Sequence, residues 1–180
     1  MLICEGPDGA GKTTLAKYLA EQLGMEYRRP PEELLSSTAG PSPGLVDWWF
    51  DQLRLPSGKR NAGVYDRCFF ISEPIYQMAQ VQRELMITGH TLWRGIHDLW
   101  SVNARIVFCL PPEAVQYSNV IQDGRASLLG LNNRHLEKIS FMYHAFYAMW
   151  ENALFEHTLI YDYTKHEPQS VVDWVRGYDE

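Results

Sequence analysis

The chain has 180 residues, 46% of them apolar, a formal charge of −6 and a pI near 5.5. That length suits one compact domain, and no run approaches the roughly 20 apolar residues that cross a bilayer. The acidic balance argues against an extended nucleic-acid face, which needs a basic surface, while leaving small phosphorylated ligands open. Met1-Leu2-Ile3-Cys4-Glu5 reaches an acid and a glycine loop at once, which argues against a secretory leader and for a soluble, cytoplasmic protein. Cys4, Cys68 and Cys109 have no metal-type spacing. Each lies in or beside an apolar run, as free thiols packed as small hydrophobes do.

Short apolar runs alternate with longer helical patterns, the signature of a parallel sheet with crossover helices. The first strand is Leu2–Glu5. A helix follows from Gly11, with Leu15, Leu19 and Leu23 on one stripe and Gly24 as its stop. A second strand near Met25–Arg28 ends at Pro30-Pro31, and the stretch Ser36–Gly44 reads as a loop. Gly44–Leu55 is a helix closed by Pro56-Ser57-Gly58, with Leu45, Trp48, Trp49 and Leu53 on its core stripe and Phe50 pointing away.

A third strand, Gly63–Asp66, leads into a long helical stretch from Glu73 to Val102, broken near Gly89, in which Trp93 and Trp100 pack. The fourth strand, Arg105–Leu110, stops at Pro111-Pro112. Helix, loop and helix follow, the loop around Asp123–Asn133, and Leu136, Ile139, Tyr143, Phe146 and Trp150 then mark a buried stripe. His157–Tyr161 is the last strand and Pro168 opens a final helix. Right-handed crossovers place helices on both faces. The expected class is α/β: one domain over residues 1–180 with a five-stranded parallel sheet.

The strongest chemical signal is Gly6-Pro7-Asp8-Gly9-Ala10-Gly11-Lys12-Thr13, a complete G-x-x-x-x-G-K-[ST] pattern between a strand and an amphipathic helix. Glycines let the backbone wrap phosphate oxygens, and the helix N-terminus aims free N–H groups at the anion. Lys12 would reach the β- and γ-phosphates of ATP and Thr13 would hold Mg²⁺. Gly6, Asp8, Gly9, Ala10, Gly11, Lys12, Thr13 and Thr14 are the expected nucleotide contacts.

Glu5-Gly6-Pro7-Asp8-Gly9-Ala10-Gly11-Lys12-Thr13-Thr14, with Tyr65-Asp66-Arg67, Ser72 and Tyr76 downstream, resembles thymidylate kinases and related deoxynucleotide kinases. The two motifs match closely, and the rest of the chain agrees in layout. The resemblance implies a P-loop kinase fold with an acceptor region over about 28–62 and a lid over about 122–134. It implies that Asp8 senses an acceptor hydroxyl, that Arg67 grips the acceptor phosphate, and that Asp66 orients Mg²⁺ through water. Thymidylate kinases carry a catalytic arginine in the phosphate loop or the lid. This loop has none, so the lid would supply it: Arg125, with Arg134 as the fallback. Arg28 and Arg29 resemble the arginine-proline turn that contacts acceptor phosphate. Phe50 is a candidate to stack on the base, and a homodimer is the assembly the resemblance suggests.

Three functions follow from these residues. The first is a kinase acting on a (deoxy)nucleoside monophosphate, most of all thymidylate. The second is a kinase acting on a hydroxyl, of a nucleoside or of a hydroxymethylated base in DNA, with Asp66, Glu32 or Glu33 as base. The third is a P-loop ATPase or nucleotide-binding module, which ordinarily carries an aspartate after a hydrophobic strand where this chain has Pro111.

Overall fold

The computed structural model describes residues 1–34, 43–79, 88–122, 124, 132–154 and 157–177. Strand β1 spans Leu2–Glu5 and feeds helix α1, Lys12–Leu23. Strand β2, Glu26–Arg28, is followed by a 3₁₀ turn at Glu32–Leu34, then α2, Pro43–Arg54, and α3, Ser57–Asn61. Strand β3, Gly63–Asp66, leads to α4, Phe69–Met78, and α5, Gly89–Ser101. Strand β4, Arg105–Cys109, precedes α6, Glu113–Gln122, and α7, Asn133–Leu154. Strand β5, Thr158–Tyr161, and α8, Pro168–Arg176, close the chain.

All five strands run parallel in the order β2-β3-β1-β4-β5. The order reverses at β1, between β3 and β4, so the crevice beyond its carboxyl end is where open α/β sheets bind ligands. Side chains alternate across the sheet as the strand pleat requires. Ile3, Tyr65, Ile106 and Phe108 enter the core beneath α2, α4, α5 and α7. Leu2, Cys4, Val64, Val107 and Cys109 enter the second core, with Leu15, Leu19, Val171 and Val175 of α1 and α8. The three cysteines are buried free thiols. Among the described residues no helix is long and apolar enough to cross a membrane.

Several local expectations change. Helix α4 starts at Phe69, not Glu73, because the amides of Ile71 and Ser72 already bond the carbonyl of Cys68. The Pro56-Ser57-Gly58 stop is followed at once by α3, whose first bonds run from the amides of Lys59 and Arg60 to the carbonyl of Pro56. Trp93 is 68% exposed rather than packed, while Trp100 meets Trp150 edge to face at 6.0 Å.

Phe50 does not point away from the core. Helices α4 and α5 both pack on α2, so the flank of α2 next to the Trp49 stripe is covered as well. The Phe50 ring lies 5.2 Å from that of Phe70, with the guanidinium of Arg94 4.9 Å and that of Arg54 5.7 Å from its centroid. Helical periodicity along α2 could not reveal that two neighbours share the work of burying it.

Candidate active site

The glycine loop joins β1 to α1 at the crevice. Gly6 has φ 146°, and a Cβ there would stand 2.4 Å from the carbonyl oxygen of Cys109, so the loop leaves the sheet along a path that excludes any side chain. Gly11, at φ 79°, caps α1. The amide of Ala10 donates to the carbonyl of Pro7 at 3.3 Å, and buried Lys12 donates its Nζ to the same oxygen at 2.5 Å. Both are the donors that such a loop turns onto phosphate oxygens. Burial, then repulsion from Arg67, pushes the Lys12 pKa down, against the attraction of Asp8 and Glu5. A desolvated, partly balanced ammonium is an effective partner for an incoming polyanion. Thr14 lies exposed beyond the loop.

Thr13 and Asp66 come together although 53 residues separate them. The Thr13 hydroxyl donates to Asp66 Oδ2 at 2.8 Å, and the Tyr27 hydroxyl donates to the same oxygen at 2.8 Å. Two hard oxygen donors in contact fit Mg²⁺, which takes one or two protein ligands and keeps waters and phosphate oxygens for the rest. Among the described residues no group of three or more His, Cys, Asp or Glu side chains is placed to hold a metal ion by itself.

Asp8 and Arg67 also meet. Arg67 Nη2 lies 2.6 Å from Asp8 Oδ1, and the Tyr76 hydroxyl donates to Asp8 Oδ2 at 2.5 Å. Arg67 holds φ 76°, a left-handed backbone that costs a side-chain-bearing residue about 1–3 kcal/mol. The amides on either side explain how it persists. Arg67 N–H bonds the carbonyl of Cys4 at 2.9 Å, and Cys68 N–H bonds Glu5 Oε2 at 2.5 Å.

Glu5, to which the sequence alone assigns no role, lies at the centre of these contacts. Its carboxylate is fully buried, accepting also from the Gly6 amide and the Tyr143 hydroxyl, each at 3.0 Å. It therefore ties the glycine loop, the start of α4 and the middle of α7. Burial raises its pKa, against the pull of Arg67 and Lys12. The sequence alone likewise assigns no site role to Tyr27, Tyr143 or Asn119. Tyr27 and Tyr143 read as ordinary strand and stripe residues, and nothing in the sequence marks Asn119.

The two arginines at the end of β2 divide. Arg28 is committed: its guanidinium donates to Glu26, to Gln52 and Tyr65 side chains, and to the carbonyl of Lys59. Arg29 is exposed one residue past β2. Strand register pairs Arg28 with Tyr65, which sets Arg29 level with Asp66. Burial, then the bond to Asp66, raises the Tyr27 pKa, and the charge of Arg29 opposes that rise. Arg125 lies outside the described residues; Arg134 is exposed in the first turn of α7.

No protein-family model matches the chain, and no curated protein matches it. Solved structures do. YorR protein from Bacillus subtilis, in complex with phosphorylated GDP, superposes with a TM-score of 0.69 at 16% identity, over 98% of this chain and 94% of that one. Deoxyadenosine kinase from M. mycoides superposes with a TM-score of 0.59 in its dCTP complex, at 17% identity over 99% of this chain and 98% of that one. Its dATP complex gives 0.57 at 15% identity, over the same shares. At such identities the likeness is one of architecture, and together with the sheet order it settles the fold: this chain is an α/β protein with the P-loop kinase fold.

Proposed function

We propose that this protein transfers the γ-phosphate of ATP to a nucleoside monophosphate, with thymidylate-type deoxynucleotides as the first acceptors to test. The observation that carries the reading is the pair of arginines, Arg67 and Arg29, that flank the Thr13–Asp66 contact at the ends of β3 and β2. An acceptor phosphate suits two cations and is already an anionic nucleophile, so the site needs no general base. Arg67 exchanges Asp8 for acceptor oxygens, where a planar guanidinium makes bidentate contact. Asp8 Oδ1 then accepts from a sugar hydroxyl in place of Arg67, with Tyr76 still on Oδ2. Lys12 moves from the Pro7 carbonyl to the β- and γ-oxygens, and loop amides bind the same groups.

Thr13 and Asp66 are the residues that would hold Mg²⁺, directly and through water, and the ion would supply charge neutralisation on the phosphates. Arg125 is assigned the cation that offsets charge on the transferred group, on sequence alone. Catalysis is then positioning and electrostatics.

One observation favours a second reading, transfer to a nucleoside hydroxyl. Arg28, one of the two arginines expected at an acceptor phosphate, is taken up by Glu26, Gln52 and Tyr65. The M. mycoides neighbour is by name a kinase of a nucleoside. A coupled assay of ADP release separates the two, with ATP, Mg²⁺ and either deoxynucleoside monophosphates, deoxynucleosides or hydroxymethyluracil-containing DNA. Turnover with a monophosphate, and a rise of about tenfold or more in its KM in Arg29→Ala, supports the first reading. Turnover only with hydroxyl acceptors replaces it by the second, with Asp66, Glu32 or Glu33 as the candidate base. No turnover with any acceptor overturns both.

A further inference from the structure

Helix α6 packs against the glycine loop at Gly9. A Cβ on Gly9 would stand 2.7 Å from the Gln116 carbonyl and 2.9 Å from Val120 Cγ2, so α6 lies directly against the loop backbone. At that contact Asn119 uses both amide hydrogens. One goes to the carbonyl of Gly9 at 2.8 Å and the other to the Tyr163 hydroxyl at 2.7 Å. The Tyr163 ring in turn lies over Gly11, 3.2 Å from where a Cβ would be. One side chain thus joins α6, the loop and the turn after β5.

The peptide between Gly9 and Ala10 carries its carbonyl on one edge and the Ala10 N–H on the other, because a trans peptide is planar with the two groups opposed. Asn119 holds the carbonyl edge outward. The Ala10 N–H therefore faces across the loop, where it donates to the Pro7 carbonyl beside Lys12 Nζ. That peptide is free to rotate by its neighbours' dihedrals, since Gly9 sits at φ 76° with no Cβ to restrain it. A loop amide that must point at phosphate needs an outside partner for its carbonyl, and Asn119 is that partner.

We propose that Asn119 is a positioning residue for the donor phosphates: by anchoring the Gly9 carbonyl it fixes the Ala10 N–H toward the bound polyphosphate. Because Asn119 stands on α6, the same contact makes the donor site sensitive to the placement of α6. The inference rests on the reading of Gly6–Thr13 as an ATP site and does not depend on which acceptor is used.

The test is calorimetric titration of the full chain with ATP and Mg²⁺, with no acceptor present. Asn119→Ala should weaken ATP binding about tenfold while thermal unfolding stays near the wild-type temperature. Asn119→Asp keeps the shape but presents an oxygen to the Gly9 carbonyl, and should weaken binding at least as much. Asn119→Ser retains one donor and should recover part of the loss. Gln122→Ala, an exposed change on the same helix, should bind as wild type does. Binding within about twofold of wild type in both Asn119→Ala and Asn119→Asp overturns the inference and leaves the ATP site standing. A wild-type chain that binds no ATP overturns both.

Discussion

Two neighbouring regions of the molecule are built from different materials. Around β1 and β3 the crevice carries charged groups in contact: Lys12, Asp8, Arg67, Glu5 and the Thr13–Asp66 pair, held by hydrogen bonds of 2.5–3.0 Å. The core among α2, α4 and α5 is made of rings: Trp49 against Tyr65 at 5.5 Å, Phe50 against Phe70 at 5.2 Å, Trp48 edge-on to Trp49 at 5.2 Å. The charged region holds groups at considerable desolvation cost, as poised sites do, whereas the aromatic region gains stability from every contact it makes. A residue with several committed polar partners beside a phosphate loop is thus a better functional candidate than an aromatic residue that could stack.

The largest expected effect falls on the aromatic region. Phe50→Ala should destabilise the fold by about 3–5 kcal/mol, as for a buried ring whose cavity cannot collapse, measured by urea unfolding. A stability change below about 1 kcal/mol, coupled to a large rise in acceptor KM, would return Phe50 to the role of base-stacking residue and break the contrast.

Next is the junction of the two motifs. Asp66→Asn keeps the side-chain shape and a partner for Thr13 and Tyr27 but removes the charge that would act on Mg²⁺. Turnover should fall about 10–100-fold, with part of the loss recovered by raising Mg²⁺. A loss that no Mg²⁺ concentration relieves would point instead to Asp66 as the base of the hydroxyl reading.

The smallest effect is a slope. Burial holds the native pKa of Glu5 above its ordinary 4.5, so between the two values the folded chain keeps a proton that the unfolded chain has lost. Its contribution to stability is therefore fully present below 4.5 and declines as pH rises through the raised native value. Glu5→Gln is destabilised by its mismatched amide, opposite Cys68 N–H or Gly6 N–H, and lacks this decline. The stability gap between wild type and variant should narrow as pH rises through that window. A gap that does not change with pH would show that Glu5 ionises as freely in the fold as outside it.

Much of the candidate site is legible in the chain because its residues are sequence neighbours. A glycine loop works through consecutive backbone amides, so Gly6–Thr13 carries its geometry in its order. Asp66 and Arg67 are legible because a parallel strand delivers its last residues to the carboxyl edge wherever it stands in the sheet. The stripes of α1 and α7 follow from helical period, and the strands from short apolar runs between turns. Phe50 and Trp93 were misread because period gives the faces of one helix and says nothing of how many neighbours cover them.

The fold class, the strand–glycine-loop–helix unit and the strand-end Asp-Arg pair are legible in the chain because all three rest on local backbone geometry. The partners of those groups come from tertiary packing. Thr13 meets Asp66 across 53 positions, Glu5 meets Tyr143 across 138, and Asn119 meets Gly9 across 110. Such pairings depend on sheet order and helix docking, which bring side chains with no fixed spacing to one point, and so leave no pattern in the chain.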